Sequence, residues 1–225
     1  MKCITIVPAR MGSKSIKKKN LVKINGISFV EKTIISLKKN KFLDCIAVST
    51  DSAEIQKIAK KNDVWCEFLR PKKISGDKST TNSAINFVIE KINEKFDFIF
   101  EIHPTYFFRK SEDLYNCYKK IKKNKYKNFI TASKITTCAH KDYQATVKKN
   151  KLIFKKLPHT FNKFNISKTY EYNGYIIGSK YNFFKKNKSH FGKSRDCGFY
   201  LIEDKKTLID LNDNQDLKLI KKLSK

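Results

Sequence analysis

The chain opens MKCITIVPARMGSKSIKKKN, residues 1–20. Ile4 to Val7 is a short, apolar, β-branched run, the composition of a parallel strand buried on both faces. It breaks at Pro8 into a loop carrying Arg10, Gly12, Ser13, Lys14, Lys18 and Lys19. A buried strand that opens at its carboxyl end into a small, basic loop is suited to holding phosphates. Gly12 lets a ligand approach the backbone, free N–H groups point at its oxygens, and the cations neutralise its charge. The loop is neither a Walker phosphate loop nor a G-x-G-x-x-G turn.

Strand and helix patterns alternate outward from this loop. Val22 to Ile24 and a turn at Gly26 lead into a helix whose Val30, Ile34 and Leu37 share one face. A strand over 44–49 runs to a helix capped by Asp51 or Ser52, and a third strand is predicted over Val64 to Phe68. A loop with Arg70, Pro71, Gly76 and Asp77 precedes a helix through Ala84, Val88 and Ile92. A fourth strand over 96–102 ends at His103-Pro104-Thr105. A helix from Ser111 and a fifth strand over 129–133 complete the regular part. This βαβ spacing predicts an α/β fold with a mainly parallel sheet covered on both faces.

Between about 134 and 172 the pattern changes. YQATV and KLIFKKL read as a hairpin, and 161–168 shows no period. This stretch is expected to leave the main sheet and to be a dimer contact. An apolar strand over 173–178, another over 197–202 and a closing helix follow, so residues 1–225 read as one domain with 134–172 as an inserted subdomain.

Hydrophobic content of 40% and aromatic content of 12% exclude a disordered chain despite a net charge of +28. That charge invites a nucleic-acid reading. The lysines, however, are spread over every predicted element, alongside abundant Asn, Ile, Phe and Tyr, as coding biased towards A and T would produce. A solvated Lys-rich surface is the favoured reading. Arginine is then the informative cation. Only Arg10, Arg70, Arg109 and Arg195 occur, and the first three fall in motif positions where a planar, bidentate fork has a use. Cys3, Cys45, Cys66, Cys117, Cys138 and Cys197 lack C-x-x-C spacing and read as reduced thiols. With no signal peptide or long apolar span, a cytoplasmic protein is expected.

The order P-A-R-x-G-S-K-x-I-x-x-K-N, through Pro8, Ala9, Arg10, Gly12, Ser13, Lys14, Ile16, Lys19 and Asn20, resembles the acylneuraminate cytidylyltransferases, or CMP-sialic acid synthetases. The resemblance continues in order through Val48–Asp51, Phe68–Pro71 with Asp77 and Ser79-Thr80-Thr81, and His103 to Arg109. It ends with Tyr172-Asn173-Gly174 and Ile209–Asn212. It implies a three-layer, Rossmann-like nucleotidyltransferase fold, a homodimer without membrane or nucleic-acid partners, and transfer of CMP from CTP to a nonulosonic acid. Carried over residue by residue, it implies that Ala9, Arg10, Gly12, Ser13, Lys14, Asn20, Arg70, Thr80 and Thr81 bind nucleotide. His103, Thr105, Arg109, Tyr172 and Asn173 would meet the sugar. Arg10, Lys14, Lys19 and Asp210 would be catalytic, with Mg²⁺ held by Asp210, Asn212 or Asp213.

Several positions depart from the family pattern. Met11 and Ser15 stand where glycines are usual, Lys17 replaces a proline, and His103 stands at the position of a sugar-contacting glutamine. Asn212 replaces the second metal-binding aspartate, which leaves Asp213 as an alternative ligand and a helix cap as the bland role for Asp210. Arg109 pairing with Glu112 or Asp113 is its bland role. A different acceptor, sugar or phosphonate, and a non-catalytic nucleic-acid-binding relative are the rival readings.

Overall fold

The computed structural model describes residues 1–135, 144–149, 151–154, 169–193 and 197–225. β1 (Cys3–Pro8) ends in the basic loop, and β2 (Lys23–Ile24) and β3 (Ile27–Ser28) form a hairpin. Asn25 and Gly26 both have positive φ there, as a type I′ turn requires. The Ser28 hydroxyl caps α1 (Phe29–Lys38), and Val30, Ile34 and Leu37 enter the core as their spacing predicts. β4 (Cys45–Ser49) leads to α2 (Ala53–Lys61), whose cap is Ser52.

The third strand expected over Val64 to Phe68 does not form. Trp65 makes one isolated parallel bridge to Ala47. Beyond it the Gln56 amide donates to the carbonyls of Cys66 and Glu67, at 2.7 and 3.2 Å, where a neighbouring strand would otherwise pair. α3 (Thr81–Ile92), β5 (Phe98–Glu101), α4 (Ser111–Asn124) and β6 (Asn128–Lys134) restore the alternation.

In the changed stretch, β7 (Ala145–Lys148) and β8 (Lys151–Phe154) pair as an antiparallel hairpin. Residues 161–168, 155–157 and 143, with Cys138 and Arg195, lie outside the described residues. β9 (Tyr170–Lys180) is longer than expected, and α5 (Tyr181–Asn187) is too short to announce a helical period. β10 (Gly198–Leu201) and α6 (Asn214–Leu223) follow.

The central sheet has the order β10-β6-β9-β5-β1-β4. It is mainly parallel; β9 alone runs against its neighbours, wedged between β5 and β6. Gly178 makes that insertion possible, because a Cβ there would lie 2.5 Å from the Phe98 ring and 2.9 Å from the Ile99 carbonyl. Cys3 and Val7 of β1 with Phe98 and Phe100 of β5 face α1, α2 and α4. Ile4, Ile6 and Ile99 face α3 and α5. Helices therefore cover both faces, and each fully buried large side chain contributes about 1.5–3 kcal/mol. A third cluster joins Ile16 of the basic loop to Phe29, Phe107, Leu211 and Ile220. Cys66 is buried, and burial pushes its thiol up to about 11, so it stays protonated. No helix among the described residues is long and apolar enough to cross a membrane.

Candidate active site

A cleft of roughly 440 Å³ lies at the carboxyl ends of β1 and β5. One wall is the basic loop, fixed from below. Asp51 accepts the Met11 N–H at 2.7 Å, Asn20 donates to the Arg10 carbonyl at 2.9 Å, and buried Ile16 anchors the far side. This leaves Arg10, Gly12, Ser13, Lys14, Lys19 and Asn20 on the cleft surface. A Cβ at Gly12 would meet nothing within 4 Å, so the space it leaves belongs to the cleft. Ser15 also lines it, and the backbone of Met11 is tied down while Lys17 is exposed, so the departures from the family loop are accommodated.

Asp77 reaches across to this loop, 3.2 Å from Arg10 Nη1 and 3.0 Å from Lys14 Nζ. The hydrogen bond from Lys14 is the main influence holding the Asp77 carboxyl below its usual range. Such exposed pairs are weak and exchange readily for a ligand's anion.

The floor is supplied by Arg70, Thr80 and Thr81. Arg70 is 6% exposed, and its Nε and Nη2 have no hydrogen-bond partner among the described residues. Burial, opposed by the Asp51 charge, lowers its pKa. A buried guanidinium with unused donors beside a cleft is arranged to meet an acceptor on a ligand. Thr80 caps α3 through the Ser83 N–H at 3.2 Å, so the positive end of that helix dipole also faces the cleft.

His103, Pro104 and Thr105 form the opposite wall. His103 Nε2 lies 2.6 Å from Oε1 of Glu101, a carboxylate only 4% exposed at the end of β5. Its other oxygen is 3.5 Å from Nε2 of His190.

Four of the expected nucleotide- and sugar-binding residues do not line this cleft. Ala9 is fully buried, and its N–H extends the sheet by donating to Ser49 O at 2.9 Å, so it has no donor left for nucleotide. Arg109 lies behind the wall. It donates to the Tyr175 carbonyl at 2.8 Å and the His103 carbonyl at 3.0 Å, with its guanidinium 4.2 Å from the Tyr175 ring centre. It neither meets the cleft nor pairs with Glu112 or Asp113. Its role is to hold the His103 backbone. Tyr172 and Asn173, on β9, do not line it either. Asn173 accepts a hydrogen bond from Tyr106 through its carbonyl and one from Thr131 through its side chain, the latter at 2.7 Å. Gly174 has a φ of +68°, in the left-handed region that favours glycine.

The metal expectation divides likewise. Asp213, not Asp210, caps the last helix: its Oδ1 accepts the N–H groups of Gln215 and Asp216, and Asp216 answers in a capping box. Its carboxylate is thus committed, and Asn212 is exposed on the same turn. Asp210 forms a backbone bridge to Tyr106, beside cleft residue Thr105, and its buried Oδ1 has no hydrogen-bond partner among the described residues. No cluster of three metal-ligating side chains occurs among the described residues. One orphaned carboxylate oxygen fits Mg²⁺, which takes one or two carboxylates and completes its shell with phosphate and water.

Three residues that shape the site escaped the sequence reading. Glu101 had a signal, a lone acid inside the apolar run FDFIFEI. Asp51, weighed only as a helix cap, serves the loop instead. His190 carried no signal.

A basic loop facing a helix amino end across the strand termini puts the chain among nucleotide-handling α/β proteins. Within that class the chain belongs to the cytidylyltransferase family, whose model matches residues 4–224. It is 28% identical to the post-translational flagellin modification protein B of Campylobacter coli, over 96% of this chain and 92% of that protein. It is 29% identical to a pseudaminic acid cytidylyltransferase of Campylobacter jejuni over 59% of each chain. The fold matches a CMP:2-keto-3-deoxy-manno-octonic acid synthetase complexed with CTP at a TM-score of 0.74, with 11% identity and 99% and 98% coverage.

Proposed function

We propose that the protein joins CTP to a nonulosonic acid of the sialic, legionaminic or pseudaminic type, forming the CMP conjugate and releasing pyrophosphate. One observation carries the reading: a single cleft gathers four cations, Arg10, Lys14, Lys19 and Arg70, against a wall of hydroxyl and imidazole groups. The names of the Campylobacter relatives support the acceptor class.

In this reading Arg10, Lys14 and Lys19 hold the triphosphate and stabilise the charge that develops on pyrophosphate. Gly12, Ser13 and Asn20 shape the loop around it. Arg70, Thr80 and Thr81 receive the nucleoside, and His103 and Thr105 face the acceptor, fixing its anomeric hydroxyl in line with the α-phosphorus. Asn173 acts through Tyr106, whose hydroxyl donates to its carbonyl, and Tyr172 acts near Glu101, the partner of His103. Mg²⁺, bound through Asp210, would polarise the reacting phosphoryl group. The whole of 1–225 acts as one catalytic domain in the cytoplasm, where CTP is made. The hairpin leaves Val147, Leu152 and Ile153 at least half exposed, which supports pairing with a second copy of the chain.

Pyrophosphate release from CTP, Mg²⁺ and a panel of these acids tests the reading. Release with at least one acid, abolished by Arg10→Ala and by Lys19→Ala in folded protein, is expected. No release with any acid would sink it. Sedimentation of wild type against Leu152→Lys tests the dimer.

A further inference from the structure

His103 departs from the family pattern, and what surrounds it gives that departure a use. The carboxylate of Glu101 sits in the sheet beside Ile99, on the face covered by α3 and α5. An ionised carboxylate there is costly unless partnered. Two imidazoles flank it. His190 is 2% exposed, its ring is 4.6 Å from that of Phe184, and its Nδ1 lies 2.9 Å from Ser179 Oγ. Burial pushes its pKa down to about 4, so it is neutral and brings the carboxylate no positive charge. His103 is the other partner, and it alone of the pair lines the cleft.

The contact also sets the tautomer. A carboxylate oxygen 2.6 Å from Nε2 is placed to accept its N–H, the tautomer that leaves the lone pair on Nδ1. Arg109 fixes the backbone by donating to the His103 carbonyl at 3.0 Å. A carboxylate that orients an imidazole and stabilises its protonated form is the arrangement that makes histidine an effective base.

We propose that His103, held by Glu101, is the general base of the reaction, removing the proton of the acceptor hydroxyl as that oxygen attacks the α-phosphorus of CTP. The inference rests on the cytidylyl-transfer reading and adds a catalytic residue to it. As the new O–P bond forms, the bond from the α-phosphorus to the pyrophosphate oxygen breaks. The hydroxyl proton passes to Nδ1, and pyrophosphate carries away the bonding pair. A glutamine at this position can hydrogen-bond the acceptor but cannot take its proton.

The charged and titratable groups around the imidazole are Glu101 on β5, His190 after α5, Arg109 at its carbonyl and Tyr172 on β9, with the cations Arg10, Lys14, Lys19 and Arg70 sharing the cleft that His103 lines. Burial and then the Glu101 charge push the Tyr172 hydroxyl up, so it stays neutral.

The test follows pyrophosphate release from CTP, Mg²⁺ and the panel of sialic, legionaminic and pseudaminic acids against pH. His103→Gln should lower kcat about 100-fold, keep CTP affinity, and lose the acid limb of kcat/KM. Glu101→Gln, which leaves the imidazole without its carboxylate, should move that limb to lower pH. If His103→Gln keeps the wild-type kcat and limb and changes only the KM for the acid, His103 is a sugar contact and the proposal is overturned. Failure of the wild type with every acid overturns the transfer reading and this proposal together.

Discussion

Asp77 Oδ1 lies 3.2 Å from Nη1 of Arg10, so a loop carboxylate occupies a cation of the basic cleft wall. Oδ2 of the same residue holds Lys14 at 3.0 Å. Under the proposed placement of the triphosphate on this loop, CTP has to displace this acid. Asp77→Asn is therefore expected to tighten CTP binding severalfold at low ionic strength, with the gain shrinking as salt screens both competitors. Titration calorimetry at two salt concentrations checks it; unchanged affinity at low salt counts against the competition.

Arg109 is a stability residue in this fold. Replacing it with Met leaves the His103 and Tyr175 carbonyls without their donor, at a cost of roughly 2–5 kcal/mol. Urea denaturation should show the loss. A raised KM for the sugar acid at unchanged stability would mean a direct substrate contact instead.

His190 should make the fold acid-sensitive. Its pKa falls from 6.5 to about 4 on burial, so between those values the unfolded chain binds a proton that the folded chain refuses. Its contribution is complete above 6.5 and is lost as pH drops towards 4, on the order of 3 kcal/mol in all. His190→Gln should flatten that part of the stability profile measured by denaturation.

Asp210 and Asp213 should separate cleanly. Asp213→Ala removes a helix cap and costs about 1 kcal/mol, with the Mg²⁺ requirement unchanged. Asp210→Asn should raise the Mg²⁺ concentration needed for half-maximal turnover. A shifted requirement in the Asp213 variant would return that residue to the metal.

The readable parts of the sequence were those where local pattern and tertiary role coincide. Ile4 to Val7 is apolar because both its faces are covered, and Val30, Ile34 and Leu37 are spaced for one helix face. Scarcity of arginine led to Arg10 and Arg70, which do line the cleft. The same clue misled at Arg109, because a bidentate fork serves two backbone carbonyls as well as a ligand. Val64 to Phe68 has a strand's composition, but Gln56, from a helix, takes the carbonyls a strand would have offered. Asp210 and Asp213 both precede the last helix, and DLNDNQDL supports either as its cap until the cap geometry is seen.

β9 also bears on how the protein is made. It supplies the middle of the sheet from residues 170–180, whereas both its neighbours, β5 and β6, are complete by residue 134. A nascent chain released from the ribosome in order holds two unpaired inner strand edges until some forty further residues have been synthesised. Exposed edges of this kind recruit other chains. The interval before β9 arrives is thus the stage at which the polypeptide depends most on chaperones, and an expression yield limited by aggregation should respond to β9 variants such as Gly178→Ala.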